Sequence, residues 1–116
     1  MDIYHGFFTL KSGVRDLDFV EDLSRFMTHL KASEKIASWR LMRRKLGLGP
    51  KELGEFHLMI EVEGLAQLDE AFSLAASRSG DTESLHFGVN SKIEKVTFAL
   101  YRDFPDPVRQ SGEELF

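Results

Sequence analysis

Between Lys35 and Gly64 the chain is constrained to two long strands joined by a glycine-rich turn. Phe56, Leu58, Ile60 and Val62 alternate with Glu55, His57, Met59, Glu61 and Glu63, the period-two pattern of a strand with one dry face and one polar face. Gly47-Leu48-Gly49-Pro50 tolerates positive φ and ends in a residue that cannot continue a ladder. A hairpin symmetric about this loop pairs positions that sum to about 101. Arg40 then falls opposite Glu61, Met42 opposite Met59 and Arg44 opposite His57, while Trp39, Leu41 and Arg43 meet Val62, Ile60 and Leu58. One register sorts both strands into an apolar and an ionic face, and a slip of two residues would keep the facing and change only the partners.

The rest of the chain is placed against this hairpin. Ile3 to Lys11 reads as the first strand, with Ile3, His5, Phe7 and Thr9 on one face and Tyr4, Gly6, Phe8 and Leu10 on the other. Bulky groups on both faces predict a central strand covered twice. Gly6 leaves a gap in its row, a place for a bulge or for close approach of another group. Asp18 followed by Glu21 predicts a capping-box start for a first helix. Phe19, Leu23, Phe26 and Leu30 form its buried stripe, and Asp22, Arg25 and His29 its wet face. A second helix opens at Gly64, buries Leu65, Leu68, Ala71, Phe72 and Ala75, and is expected to close at Gly80. A short helix or turn follows from Ser84 to Asn90. Lys95 to Arg102 is the last strand, with Val96, Phe98 and Leu100 on one face and Thr97, Ala99 and Tyr101 on the other. Pro105 and Pro107 end regular structure. One domain over 1–106 and a polar tail over 107–116 are expected.

The order strand, helix, strand, strand, helix, strand, with right-handed crossovers, gives an α+β fold. It is the ferredoxin-like βαββαβ arrangement: a four-stranded antiparallel sheet in the order 4-1-3-2 with both helices on one face. The second face carries Arg40, Met42, Arg44, His57, Met59 and Glu61 with one aromatic row of the first strand. Such a row is not left open to water, and a second copy packed on it makes a homodimer whose interior is partly ionic.

Composition narrows the function classes. The chain has 116 residues and no cysteine, which removes disulfide scaffolds and thiolate chemistry and is compatible with the cytoplasm. A net charge of -4 argues against coating nucleic acid. No apolar run reaches the roughly 18 residues that would span a bilayer, and MDIYHGFF lacks the features of a signal peptide. The glycines of the hairpin lack the spacing and the strand-to-helix context of a dinucleotide site.

The hairpin SWRLMRRKLGLGP, the helix GLAQLDEAF, the segment HFGVN and the ending LYRDFPD resemble those of the dimeric α/β-barrel superfamily, with the closest resemblance to bacterial members of unknown function. That group holds stress-responsive barrel proteins, small cofactor-independent monooxygenases, polyketide cyclases and haem-degrading enzymes. The resemblance covers Ile3 to about Asp106. It implies a homodimer and a ligand cavity between sheet and helices, and identifies a fold better than an activity. The haem-degrading relatives use an Asn on the first strand; the only asparagine here is Asn90, so haem chemistry is disfavoured and no cofactor is implied.

Cofactor-independent relatives move a proton or stabilise an enolate with polar groups lining an apolar cavity, which needs a base of near-neutral pKa in reach of the substrate. His5 and Tyr4 are the candidate catalytic residues, one of which faces the cavity; His5 is the better single candidate, since a histidine near the start of a central strand, flanked by aromatics, is placed to be desolvated and aimed into a cavity. Trp39, His86, Asn90 and Tyr101 are candidate ligand-binding residues. Arg40, Arg44, His57 and Glu61 are expected in the dimer interior. No metal site is indicated: His57 and Glu61 stand roughly 13 Å apart along their strand, too far to share an ion, so any site would need His5 or a second subunit. The leading expectation is a homodimer that binds a small apolar or aromatic molecule in a cavity of roughly 300 Å³ or more, with monooxygenase- or cyclase-like acid-base activity. The alternative is a non-catalytic structural or regulatory dimer.

Overall fold

The structure, a computed structural model, describes residues 1–77 and 80–105. Its elements are β1 (Asp2–Leu10), α1 (Asp16–Ala32), β2 (Ser38–Arg43), β3 (Phe56–Val62), α2 (Leu65–Ala76), α3 (Gly80–Asn90) and β4 (Ile93–Arg102). The four strands form one antiparallel sheet in the order β2-β3-β1-β4. This is the expected ferredoxin-like order read from the opposite edge. In the second crossover the short helix or turn expected over Ser84 to Asn90 is a longer helix, α3, and Gly80, at φ 68°, starts it and does not close α2. The expected tail over 107–116 lies outside the described residues.

Alternation along the strands divides the sheet as expected, but the hairpin register is shifted by two. Ser38 pairs with Glu61, Trp39 with Ile60, Arg40 with Met59, Leu41 with Leu58, Met42 with His57 and Arg43 with Phe56. The expected pairs Arg40–Glu61 and Arg44–His57 therefore do not form. The turn is asymmetric for a physical reason: the Arg44 guanidinium donates to the carbonyls of Pro50 and Leu53, at 2.8 and 2.7 Å. Its backbone N–H still reaches Glu55 O at 2.7 Å, so the ladder ends there with Arg44 tied into the loop.

The core lies between the sheet and all three helices. Phe8 of β1, Phe19, Leu23 and Met27 of α1 and Val62 of β3 are fully buried. Phe8 meets Phe19 edge-on at 5.3 Å between centroids and stacks on Phe56 at 5.7 Å, geometries that favour aromatic pairs. Helix α1 starts earlier than the expected capping box: Arg15 is its N-cap with no side-chain cap bond. Asp18 sits inside the first turn, where a carboxylate favours the helix dipole. His29, expected on the wet face, instead makes a 2.7 Å hydrogen bond with Thr82 of α3, and Lys92 reaches Asp22 at 2.5 Å beside it. These bonds close α3 onto α1. At the other end of the sheet the buried Asp2 carboxylate accepts from Arg102 Nε at 2.5 Å and Nη2 at 3.1 Å, joining the ends of β1 and β4. No described helix is long and apolar enough to cross a membrane.

Candidate functional site

A cavity of about 190 Å³ lies between the sheet and the helices. It exists because β1 presents Tyr4, Gly6 and Phe8 to that side with nothing but hydrogen at the middle position. A Cβ built on Gly6 would touch only the Phe98 ring, at 3.8 Å. The walls are Leu23, Phe26 and Met27 of α1, Leu68 and Ala71 of α2, and Leu58 and Ile60 of β3. Phe72 of α2 and Phe98 of β4 also line it while 46% and 58% exposed, so these rings border the mouth. Tyr4 packs between them, edge-on to Phe72 at 5.1 Å and stacked on Phe98 at 5.4 Å.

Three polar side chains interrupt this apolar lining: Tyr4, His86 and Asn90. Helix α3 carries the last two four residues apart, hence on one face, and the His86 ring tilts against Phe26 at 5.5 Å. Among the described residues none hydrogen-bonds to the side chain of Tyr4, His86 or Asn90. Burial pushes the Tyr4 phenol above its ordinary pKa, so at neutral pH it is a hydrogen-bond donor and not a base. The chemistry available in the cavity is donation from a phenol, with an imidazole and a carboxamide on the facing helix.

The remaining expected residues lie elsewhere. Trp39 faces the helix side but packs against the core outside the cavity. His5 points the opposite way from Tyr4, onto the face of the sheet that no helix covers, and so does Tyr101, whose ring meets the His5 ring edge-on at 5.2 Å. On that face His5 Nδ1 and His57 Nε2 are 2.8 Å apart and share a hydrogen bond. Phe7 stacks on His57 at 4.1 Å. Burial holds the His5 pKa below the ordinary value; burial and then the charge of His5 do the same for His57. Glu61 accepts from Ser38 at 3.0 Å, and Arg40 has no bonded partner among the described residues. Within one chain no group of three or more metal-binding side chains gathers among the described residues.

Several residues of these two places were not singled out for function from sequence. Phe72 and Phe98 read as ordinary buried stripe positions, and the His5–His57 contact is diagonal across two strands far apart in the chain. Gly6 was the one available signal, a gap in an aromatic row.

Over residues 1–116 the chain matches the profile described as a family of unknown function (DUF6614). The protein belongs to that family. No curated protein sequence matches this DUF6614 chain. Among solved structures it is similar to the hydroxynitrile lyase from Passiflora edulis, with a TM-score of 0.66, 12% identity, and 91% of this chain and 96% of that one covered. It is similar to a dimeric ferredoxin-like protein of unknown function from Jannaschia sp. CCS1, with a TM-score of 0.62, 10% identity, and 89% and 100% of the two chains covered. It is also similar to an antibiotic biosynthesis monooxygenase, with a TM-score of 0.60, 16% identity, and 90% and 100% covered. These likenesses establish for the DUF6614 chain the ferredoxin-like fold on which such proteins are built.

Proposed function

We propose that the protein is a cytoplasmic homodimer that binds a small apolar or aromatic molecule between its sheet and helices, and acts on it by cofactor-independent acid-base chemistry. The observation that carries this reading is the cavity with Tyr4, His86 and Asn90 as its polar groups. Its volume of about 190 Å³ is smaller than the expected size and below the roughly 300 Å³ at which drug-sized sites begin. It exceeds the roughly 150 Å³ of an apolar protein cavity that takes up benzene. The ligand is therefore of single-ring size, held by dispersion against Phe26, Phe72 and Phe98 and oriented by one polar substituent. His5, on the far side of the sheet, does not reach it; in this reading His86 takes a proton from the substrate and the Tyr4 phenol donates a hydrogen bond to the oxygen on which charge develops.

The dimer rests on the uncovered face. Ile3, His5, Phe7, Met42, Met59 and Tyr101 lie there, and apolar and aromatic side chains in one patch mark a face that a partner covers. The similar protein from Jannaschia is itself described as dimeric, and the absence of cysteine fits a reducing compartment. The test is a titration with phenol followed by backbone amide NMR. Shifts confined to residues around Tyr4, Phe26, Phe72 and His86, lost in Gly6→Leu, support the reading. Shifts scattered elsewhere, or none at millimolar phenol, refute it.

A further inference from the structure

The His5–His57 pair has features that a hydrogen-bonded surface pair does not need. Both rings are fixed by aromatic neighbours, Phe7 on His57 and Tyr101 on His5. Their nitrogens Nδ1 and Nε2 face each other at 2.8 Å. The pair also has a particular place in the sheet: His5 is on β1 and His57 on β3, the two central strands, so it straddles the midline of the uncovered face. In an isologous contact the same patch meets itself, and an axis running along the midline brings the two pairs face to face. Packed sheets lie about 10 Å apart, a gap that histidine side chains from both sides can close.

We propose that the two His5–His57 pairs of a homodimer form one four-imidazole site for a divalent transition metal on the two-fold axis. This proposal rests on the homodimer reading given above. Tetrahedral zinc or cobalt with bonds to nitrogen of about 2.0–2.1 Å needs neighbouring ligand nitrogens roughly 3.3 Å apart. The observed 2.8 Å, with the ring centroids 5.0 Å apart, is the head-on geometry of a hydrogen bond, so the rings must part by about half an ångström and turn until both lone pairs meet at the ion, and the metal replaces the hydrogen bond between them. Imidazole binds metal in its neutral form, and burial on this face already favours that form in both rings. One chain supplies only two of the four ligands, so the site is incomplete without the second copy. Glu61, on the same strand face as His57, supplies negative charge to the interior, and Arg40 is the opposing positive charge on β2. Glu61, four residues from His57 along β3, stands roughly 13 Å from it, too far to displace that imidazole, and the Arg40 guanidinium offers no lone pair to a metal. The ligand cavity is on the other side of the sheet, so the metal has no part in the chemistry proposed there and would act on assembly.

The experiment is a titration of the full-length, chelator-treated protein with cobalt(II) alone, read by visible absorption and by sedimentation on the same samples. One cobalt per dimer with the intense bands of tetrahedral cobalt is the expected result. His5→Ala and His57→Ala should each weaken binding at least tenfold, while His29→Ala leaves it unchanged. Because either alanine variant also removes a packed ring, His5→Gln serves as a second variant that keeps a hydrogen-bonding side chain beside His57 and removes one metal ligand; it too should lose the bands. A dimer that binds no cobalt overturns the metal site and leaves the dimer standing. A monomer in both the absence and presence of cobalt overturns the dimer and the shared site with it. One cobalt per chain, or binding that survives His57→Ala, overturns the shared site.

Discussion

Replacing Gly6 by alanine separates what the cavity costs from what it is for. Gly6 is buried in β1 opposite Leu58 on one side and Phe98 on the other, and it has no positive φ to protect. The new methyl meets the Phe98 ring at 3.8 and 3.9 Å, ordinary contact distances, so no strain opposes it. Two terms favour the variant: reduced freedom of the unfolded chain stabilises by about 0.4–1 kcal/mol, and burying one methyl adds about 0.8 kcal/mol. Gly6→Ala is expected to raise the unfolding free energy by about 1–2 kcal/mol in a urea titration followed by circular dichroism. The same methyl occupies space over which a ring would lie, so phenol affinity should fall. A stability gain with weaker phenol binding means the gap is kept for a ligand. Destabilisation by more than about 1 kcal/mol would refute the reasoning and show that the backbone of β1 needs glycine. A gain with unchanged phenol affinity would place the ligand elsewhere.

Gly54 is the opposite case, since a Cβ there would lie 2.2 Å from the carbonyl carbon of Phe8 and 2.3 Å from its oxygen. Gly54→Ala must push the loop off β1 and should cost about 3 kcal/mol or more, whereas Gly64→Ala, with nothing within 4 Å, should change urea stability by less than about 1 kcal/mol. Stability should also depend on pH through His5 and His57. Both pKa values are lowered from the ordinary 6.5, so below about 6.5 the unfolded chain takes up protons that the folded chain resists. Unfolding free energy is then level above that pH and falls below it. Urea titrations at a series of pH values should show this fall, and the double variant His5→Ala/His57→Ala should show less of it; an equal slope in both proteins would refute the assignment.

The alternation of Phe56, Leu58, Ile60 and Val62 was enough to predict which face of the hairpin is dry, because facing depends only on period two. The register was not predictable from it, since a two-residue slip leaves every side chain on its face. What decides it is the Arg44 guanidinium binding the carbonyls of Pro50 and Leu53, a contact inside the loop that no periodicity records. Gly80 was misplaced for a similar reason: a glycine with positive φ can end one helix or precede the next, and only the second crossover shows that it begins α3. Strand β4 was legible to its last rung. In its first residues Lys95 adopts positive φ and the pairing with β1 shifts between Phe7 and Thr9, a bulge that alternation alone does not locate.

The candidate site was less legible than the fold because it depends on empty space and on contacts between distant strands. Tyr4 and His5 are neighbours in sequence; residue type favoured His5 as the acid-base group, and the bulky groups on both faces of β1 gave no means of telling which of the two lines the cavity. Their separation follows from one fact, the helices covering the Tyr4 side. That fact also makes the two proposed sites independent. Tyr4, Gly6 and His86 can be altered without touching the uncovered face, and His5 and His57 can be altered without touching the cavity lining. Since adjacent residues of β1 project to opposite faces of the sheet, ligand binding and assembly can be perturbed one residue apart. If Tyr4→Phe changed the oligomeric state or His5→Ala changed phenol affinity, the two faces would be coupled through the backbone of β1. The bulge beyond Phe7 would then be the first place to look for the strand movement that couples them.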